Sequence, residues 1–166
     1  MAEDATALPY SQQVDGDRGN VMDGEYVGEM RFSPFSYSGS PAAGTTIPLI
    51  RLPGGKVRII PELSYISFSD DFATNADGHL GHQAYVNADG DSVAADDNEW
   101  IDNADIGGGA VAGPWTTLFA TGAGGTTGQI QAIYDAQDGL VIEVLVDTEA
   151  GTSATITGWV VWCNVP

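Results

Sequence analysis

The sequence GLVIEVLVDTEAGTSATITGWVVWCNV, residues 139–165, contains two apolar segments joined by a loop of small and polar residues. In the first segment, every second residue is apolar and forms one face: Leu140, Ile142, Val144 and Val146. A period of two residues is typical of a β-strand with one buried face. The second segment is apolar on both faces, one with Ile156, Val160 and Trp162, the other with Trp159, Val161 and Cys163. We expect this last strand to pack one face on the core and the other on a further surface.

Upstream segments show the same strand and turn chemistry. In QIQAIYDAQDGLVIEV, residues 129–144, the Asp-Gly pair at Asp138 and Gly139 predicts a hairpin. In IPLIRLPGGKVRII, residues 47–60, a Pro-Gly-Gly turn separates two further strands. Short apolar runs of this kind recur between clusters of Gly, Asp, Asn and Ser. The sequence therefore predicts an all-β fold, a β-sandwich of jelly-roll-like or immunoglobulin-like type.

One segment favours a helix instead. DDNEWIDN, residues 96–103, can form a single helical turn with Asp96 or Asp97 as its N-cap and Trp100 and Ile101 as apolar anchors. It is the one helix that the sequence predicts.

The chain divides into two parts of different composition. Residues 1–40 are rich in Gly and charge and poor in apolar residues until Val27, which predicts an extended N-terminal arm. The aromatic residues Phe32, Phe35 and Tyr37 at its end are expected to dock on the same domain or on a neighbour. Residues 41–166 form the predicted β-sandwich domain, which is large enough to bury a core without cross-links.

The net charge of −18 is unevenly distributed along the chain. After Arg58 there is no Lys or Arg, whereas 16 of the 23 Asp and Glu residues follow it. Proteins bind the phosphates of nucleic acids mainly through Lys and Arg, and a surface this acidic repels phosphates. The composition therefore excludes nucleic acid as a partner. The negative charge also suits a saline, for example marine, environment, where salt screens the repulsion between acidic groups. Adaptation to salt would by itself account for the charge, without any role of the acidic residues in function.

The sequence offers little for catalysis, metal binding or export. Cys163 is the single cysteine, so an internal disulfide is impossible. His79 and His82 are three residues apart, which on a strand places them on opposite faces. NADGDSVAADDN, residues 87–98, suggests a calcium loop but lacks the Gly and Glu of an EF-hand. Without catalytic motifs, a signal peptide or a long apolar run, we expect no enzyme activity, no cofactor, no metal, no membrane contact, and synthesis in the cytoplasm.

Three of the five basic residues, Arg51, Lys56 and Arg58, surround the Pro-Gly-Gly turn. They are either ordinary solvated charges or a basic spot that faces an acidic partner and fixes its orientation.

Three stretches resemble small virion structural proteins of tailed bacteriophages: TTIPLIRLPGGKVRIIPELSYISFS at 45–69, GHLGHQAY at 78–85, and GLVIEVLVDTEAGTSATITGWVVW at 139–162. The similarity covers residues 15–163 and consists mainly of strand and turn chemistry. It implies a non-enzymatic head decoration or cement protein that lies on the capsid surface of the virion, binds the major capsid protein and self-associates, as a homotrimer. The strong acidity of this chain departs from the usual pattern.

Two other functions stay open. One is a head-tail connector or minor tail protein, and the other is a carbohydrate-binding β-sandwich that uses Trp100, Trp115, Trp159 and Trp162. For the virion role, we expect these interface residues: Arg31, Phe32, Phe35, Tyr37, Arg51, Lys56, Arg58, Trp159 and Trp162.

Overall fold

The computed structural model describes residues 30–107, 111–115 and 133–165, and these ranges contain twelve β-strands. The strands are β1 (Met30–Gly39), β2 (Thr45–Arg51), β3 (Gly55–Ile59), β4 (Tyr65–Phe68), β5 (Asp77–His82), β6 (Tyr85–Val86), β7 (Ser92–Val93), β8 (Asp96–Asp105), β9 (Val111–Pro114), β10 (Ile133–Ala136), β11 (Val141–Val146) and β12 (Ala154–Asn164). Two antiparallel sheets enclose one hydrophobic core, which confirms the predicted all-β sandwich.

Strand β12 organises the larger sheet, sheet A. One edge of β12 pairs with β1 along its whole length, from Met30 opposite Cys163 to Gly39 opposite Ala154. The other edge pairs with β3 near its C-terminal end and with β4 near its N-terminal end. β12 has 11 residues, about twice the usual length of a strand, so two short strands fit end to end beside it. β10 and β9 extend the sheet beyond β3 and β4.

Sheet B has the order β2-β11-β5-β8, and β6 and β7 form a separate hairpin. The core between the sheets receives the two faces predicted from residues 139–165: Ile142, Val144 and Val146 from β11, and Ile156, Val160 and Trp162 from β12. At one end it contains a cluster of rings formed by His82, Trp100, Trp115 and Tyr134.

The predicted hairpin at Asp138 and Gly139 is wrong. The turn exists, but β10 pairs with β3 in sheet A and β11 pairs with β2 and β5 in sheet B, so the turn carries the chain from one sheet to the other. The Pro-Gly-Gly turn does the same between β2 and β3. Among the described strands, β6 and β7 are the one pair of sequence neighbours that bond to each other.

These two crossings pack against each other, which explains their glycines. A Cβ on Gly54 would lie 2.2 Å from the Gln137 carbonyl oxygen, and one on Gly139 would lie 2.2 Å from the Leu52 carbonyl oxygen. The Leu52 N–H donates to the Leu140 carbonyl at 2.8 Å. Gly139 also has φ of 94°, a conformation that side chains disfavour. The two connecting segments can therefore cross from one sheet to the other in contact with each other only because Gly54 and Gly139 have no side chains.

The predicted helical turn at residues 96–103 is also wrong, because this segment lies in β8 and pairs with β5. A single helical turn is marginal in water, whereas the strand gains a ladder of backbone bonds. Irregular register in β8 allows the consecutive residues Trp100 and Ile101 both to be buried. Asn103 has φ of 54° at one of these irregularities. The sequence pattern resembled a helix because a bulged strand also breaks strict alternation.

The structure places Met30–Gly39, which lie near the C-terminal end of the predicted arm, in sheet A as β1. Phe35 is 7% exposed and belongs to the core, so this aromatic residue docks on its own domain. Residues 1–29 lie outside the described residues, and their form as an arm stays a prediction, as does the domain boundary at residue 40.

The buried residue Tyr134 is expected to lower the stability of the folded domain at alkaline pH. Its hydroxyl donates to Glu99 Oε1 at 2.8 Å, and burial followed by this bond raises the pKa of Tyr134 well above its ordinary value of 10.0. Unfolding above pH 10 then releases a proton that the folded state retains. We expect the free energy of unfolding to fall by about 1.4 kcal/mol per pH unit from this residue. Urea titrations at pH 9, 10 and 11 should show a shallower decline in Tyr134→Phe; equal slopes would contradict this account.

Candidate functional site: the outer face of sheet A

Register and alternation define which side chains share the outer face of sheet A. Met30, Cys163, Arg58 and Ile133 lie opposite one another in four adjacent strands and therefore point to the same side. Cys163 identifies that side: it is only 2% exposed, yet it is not part of the core cluster. Burial raises the pKa of its thiol, which disfavours reactivity. This row crosses the sheet at the C-terminal end of β12.

A second row contains three aromatic residues. Trp159 lies between Phe32 and Tyr65, with ring centroids 5.4 Å and 4.6 Å away. The Trp159 indole N–H donates to the Leu63 carbonyl at 2.9 Å, which fixes the ring and places Leu63 beside the row. We call Phe32, Trp159 and Tyr65 the aromatic row.

This face is unusually apolar and exposed. Phe32 is 60% exposed, Leu63 52%, Met30 48% and Ile133 36%, and these are four of the five exposed large apolar residues that the described ranges contain. Val86, the fifth, lies on the β6–β7 hairpin. Met30 and Phe32 lie on one side of Arg58 and Ile133 lies on the other. Exposed apolar side chains that cluster on one face are typical of a protein contact surface.

The borders of the patch differ in chemistry. Next to the aromatic row, toward the N-terminal end of β12, three neutral polar residues lie opposite one another in adjacent strands: Ser36, Thr157 and Ser67. At the opposite end lie the cations Lys56 and Arg58 of β3, and neither forms an ion pair with a described carboxylate. Asp135 of β10 lies opposite Lys56. The face is thus apolar at its centre and basic at one end, in a chain that is otherwise strongly acidic.

The predicted interface residues do not all lie here. Four of them share the outer face of sheet A: Phe32, Lys56, Arg58 and Trp159. Arg31 is exposed at the sheet edge, with its guanidinium carbon 5.4 Å from the Trp162 ring centroid. Three others lie on the core side of sheet A: Phe35 and Trp162 are buried in the core, and Tyr37 is half-buried against it. Their role in an interface stays a prediction.

Arg51 also lies elsewhere, so the cations around the Pro-Gly-Gly turn do not form one spot. Arg51 is in β2 of sheet B, and its guanidinium donates to the Asp138 carbonyl at 3.0 Å. Lys56 and Arg58 follow the crossing into sheet A. Sequence proximity suggested a single basic surface, but a crossing between sheets separates its members.

Sequence reasoning missed four residues of this face: Met30, Leu63, Tyr65 and Ile133. Met30 and Ile133 carry no motif, and only their register with Cys163 and Arg58 reveals that they are neighbours. The signal that was available is the two-faced apolar pattern of β12, which predicted that one face contacts something outside the core.

The opposite side of the molecule, at the outer face of sheet B, is acidic. His79 Nδ1 lies 3.2 Å from Asp102 Oδ1, and its Nε2 lies 3.8 Å from Asp147 Oδ2. The Asn103 N–H also points to His79 Nδ1 at 3.2 Å. Asp77 and Asp105 lie opposite each other in the same sheet. The charge asymmetry along the sequence therefore becomes an asymmetry in space.

The other candidate metal ligands, His82 and Asn87, make hydrogen bonds within the fold. His82 is 4% exposed on the core side and its Nδ1 lies 2.9 Å from the Gln83 carbonyl, so the two histidines lie on opposite faces, as predicted. Asn87, the first residue of the candidate calcium loop, accepts the N–H groups of Asp89 and Asp91 in the β6–β7 turn. Within the described ranges, no group of three or more His, Cys, Asp or Glu side chains is arranged to hold a metal ion.

The aromatic row is poorly suited to bind sugars. Carbohydrate recognition uses the open face of a ring, but Tyr65 stacks on one side of Trp159 at an interplanar angle of 13° and Phe32 packs beside it at 34°. Trp100, Trp115 and Trp162 are buried. The tryptophans that suggested a carbohydrate site are thus occupied by packing within the domain.

The described residues include no helix of the length and apolarity needed to cross a membrane. No protein-family model and no curated protein matches the sequence. The fold is similar to chains in solved structures. A chain of the capsid of Ralstonia phage GP4 has a TM-score of 0.56 and 21% identity, over 86% of this chain and 88% of that one. A chain of the cyanophage Pam1 capsid asymmetric unit has a TM-score of 0.48 and 14% identity, over 84% and 87%. At such identities, the GP4 likeness establishes a shared fold.

Proposed function

We propose that this chain is a structural component of a bacteriophage virion, a decoration or cement protein that binds the major capsid protein and stabilises the head. The observation that carries the proposal is the fold shared with a chain of the GP4 phage capsid along nearly the full length of both. Fold alone does not determine function, so the site must supply a reason for assembly.

The outer face of sheet A supplies that reason. An exposed Phe32 beside Trp159 is an aromatic anchor of the kind that dominates protein interfaces. Arg58 and Lys56 at one end add orientation, since charges at the border of an interface select the partner's approach more than they add affinity. We propose that this face contacts the capsid and that the acidic outer face of sheet B points away from it.

The proposal is tested on purified particles. We expect the chain to be present in virions in hundreds of copies, as measured by quantitative mass spectrometry against the major capsid protein. A handful of copies per particle would instead indicate a connector or minor tail protein, and absence from the particle would refute a virion role.

Self-association belongs to the same proposal. A homotrimer would present three copies of the outer face of sheet A to the capsid, and multivalent contact raises avidity without new contacts in each copy. Light scattering of the purified chain at micromolar concentration is expected to give the mass of three chains; a mass of 17.3 kDa would contradict the trimer.

A further inference from the structure

Strand β1 of sheet A has an edge that no described strand covers. β1 has ten residues, and β12 pairs with all of them on one edge, while the other edge is unpaired within the described ranges. An unpaired edge presents backbone N–H and C=O groups that can bond to a strand of another chain. Arg31 is the one charged residue of β1, so little besides Pro34 obstructs this edge.

The backbone groups at the free edge belong to every second residue of β1. The Val161 carbonyl accepts the Ile60 N–H at 2.9 Å and the Val161 N–H donates to Ser64 Oγ at 2.9 Å, so both groups point away from β1. Phe32 lies opposite Val161, so its N–H and C=O groups point away from β12, to the free edge. By alternation, the same side receives the backbone groups of Met30, Pro34, Ser36 and Ser38.

Pro34 restricts how a second copy of β1 can pair here in the antiparallel sense. With a two-fold axis at Pro34, the central pair would lack both N–H donors. An axis at Ser36 would bring small polar residues together and leave Phe32 exposed. With an axis at Phe32, the Phe32 residues of the two copies exchange both backbone bonds, and each Met30 N–H donates to the Pro34 carbonyl of the other copy. Pro34 then costs a bond at each end of the pairing and none at its centre.

The same register buries apolar surface that the free chain exposes. Phe32 is 60% exposed and Met30 48%, Pro34 is also exposed, and all three lie on the outer face of sheet A. With the axis at Phe32, the two Phe32 rings become cross-strand neighbours, and each Met30 lies opposite Pro34 of the other copy. The aromatic row then continues from one chain into the other.

The charges near this edge permit two copies to meet, although each chain has a net charge of −18. β1 and its neighbour β12 contain no Asp or Glu, whereas the whole chain has 23. Arg31 lies opposite Ser33 of the second copy in this register, so the cations do not face each other. The edge therefore accepts a strand without carboxylates and with exposed apolar side chains, and β1 itself is such a strand.

We propose that β1 pairs antiparallel with β1 of a second copy about a two-fold axis at Phe32. The two copies of sheet A then form one continuous sheet with both outer faces on the same side, because residues opposite each other in a sheet share a face. In a homotrimer, this contact joins chains of neighbouring trimers. The consequence that paired chains present both faces to one capsid rests on the proposed function; the pairing itself does not.

The contact is small, which decides how it must be detected. Pairing over a few residues buries far less than the about 1,600 Å² of a stable interface, so the paired form is expected to be short-lived in dilute solution. A disulfide traps such a contact where two Cα atoms come within about 7 Å of each other.

The test uses two full-length variants, Arg31→Cys and Ser33→Cys, each in a Cys163→Ala background. In the proposed register, the Cα atoms of residue 31 in one copy and residue 33 in the other are about 4.5 Å apart, whereas the two copies of residue 31 are about 8 Å apart. Oxidation of the mixture should therefore give at least about five-fold more disulfide dimer than either variant oxidised alone. No excess in the mixture would overturn the proposal.

Ser36→Cys in the same background tests the competing register. Ser36 is exposed on the same strand, and it lies opposite its own copy only if the axis is at Ser36. We expect no disulfide dimer from this variant. A dimer as abundant as that of the mixture would place the axis at Ser36 and overturn the proposed register.

Two further substitutions, made in both cysteine variants, separate the causes. Phe32→Ser should lower the cross-linked fraction at least about five-fold, whereas Val86→Ser, which changes an exposed apolar residue of the β6–β7 hairpin, should leave it unchanged. Equal losses would overturn the role of the Phe32 ring. Added salt should increase the cross-linked fraction, since it screens the repulsion between two acidic chains; a decrease would overturn the apolar account of the contact.

This experiment needs no capsid, so its failure leaves the virion proposal intact. Conversely, absence of the chain from particles would refute the virion role and leave the pairing of β1 in place.

Discussion

Gly139→Ala is expected to destabilise the domain by at least about 3 kcal/mol. The added methyl group meets the Leu52 carbonyl oxygen at 2.2 Å, and Ala at φ of 94° carries a backbone cost of about 1 to 2 kcal/mol in addition. Relief of the contact would require the crossing between β10 and β11 to separate from the crossing between β2 and β3. Total stabilities of about 5 to 15 kcal/mol make this a loss that urea unfolding measures easily.

Gly90→Ala is the matched control. Gly90 has φ of 87°, close to that of Gly139, but an added Cβ there would meet no atom within 4 Å. We expect this variant to lose only about 1 to 2 kcal/mol, which is the backbone cost alone. If both variants lost the same amount, the contact between the two crossings would have no energetic weight.

Phe32→Asp is expected to lower affinity for capsid shells that lack the chain by at least about 100-fold, which corresponds to about 2.7 kcal/mol. The side chain is 60% exposed, so its replacement leaves the core intact while placing a charge in the apolar centre of the outer face of sheet A. Co-sedimentation with depleted shells measures the binding, and a melting temperature close to that of the parent shows that folding is unaffected.

Val86→Asp provides the comparison for this variant. Val86 is also an exposed apolar residue, 38% accessible, but it lies on the β6–β7 hairpin and not on sheet A. It should bind like the parent chain. Equal loss in both variants would indicate a nonspecific effect of added negative charge, and no loss in Phe32→Asp would remove the outer face of sheet A from the interface.

Local pattern predicted the strands well but their partners poorly. Alternation in residues 140–146 and both apolar faces of residues 156–163 were sufficient for an all-β sandwich, because side-chain period follows directly from backbone geometry. The Asp-Gly and Pro-Gly-Gly turns look the same in a hairpin and in a crossing between sheets. What distinguishes them is whether the flanking strands find better partners far along the chain, which neighbouring residues do not encode.

The candidate site shows the same division. Trp159 was recognised because β12 is apolar on both sides, and Lys56 and Arg58 because cations are rare in this chain. Phe32 and Phe35 could not be told apart, since three residues along a strand reverse the side on which a ring lies. Only the pairing of β1 with β12 shows that Phe35 enters the core and Phe32 remains outside.

The pairing of β1 with β12 also constrains how the protein is made. The ribosome produces Met30–Gly39 long before Ala154–Asn164, yet among the described strands β12 is the one partner of β1. β3 and β4 also pair with β12, so these two strands cannot belong to one sheet before β12 has been synthesised. Sheet A therefore cannot close before Ala154–Asn164 has left the ribosome, and its earlier strands must avoid wrong contacts until β12 emerges. Contacts this distant in sequence are typical of slow folding. A high density of like charge, which keeps nascent chains apart, is a direct advantage during that interval.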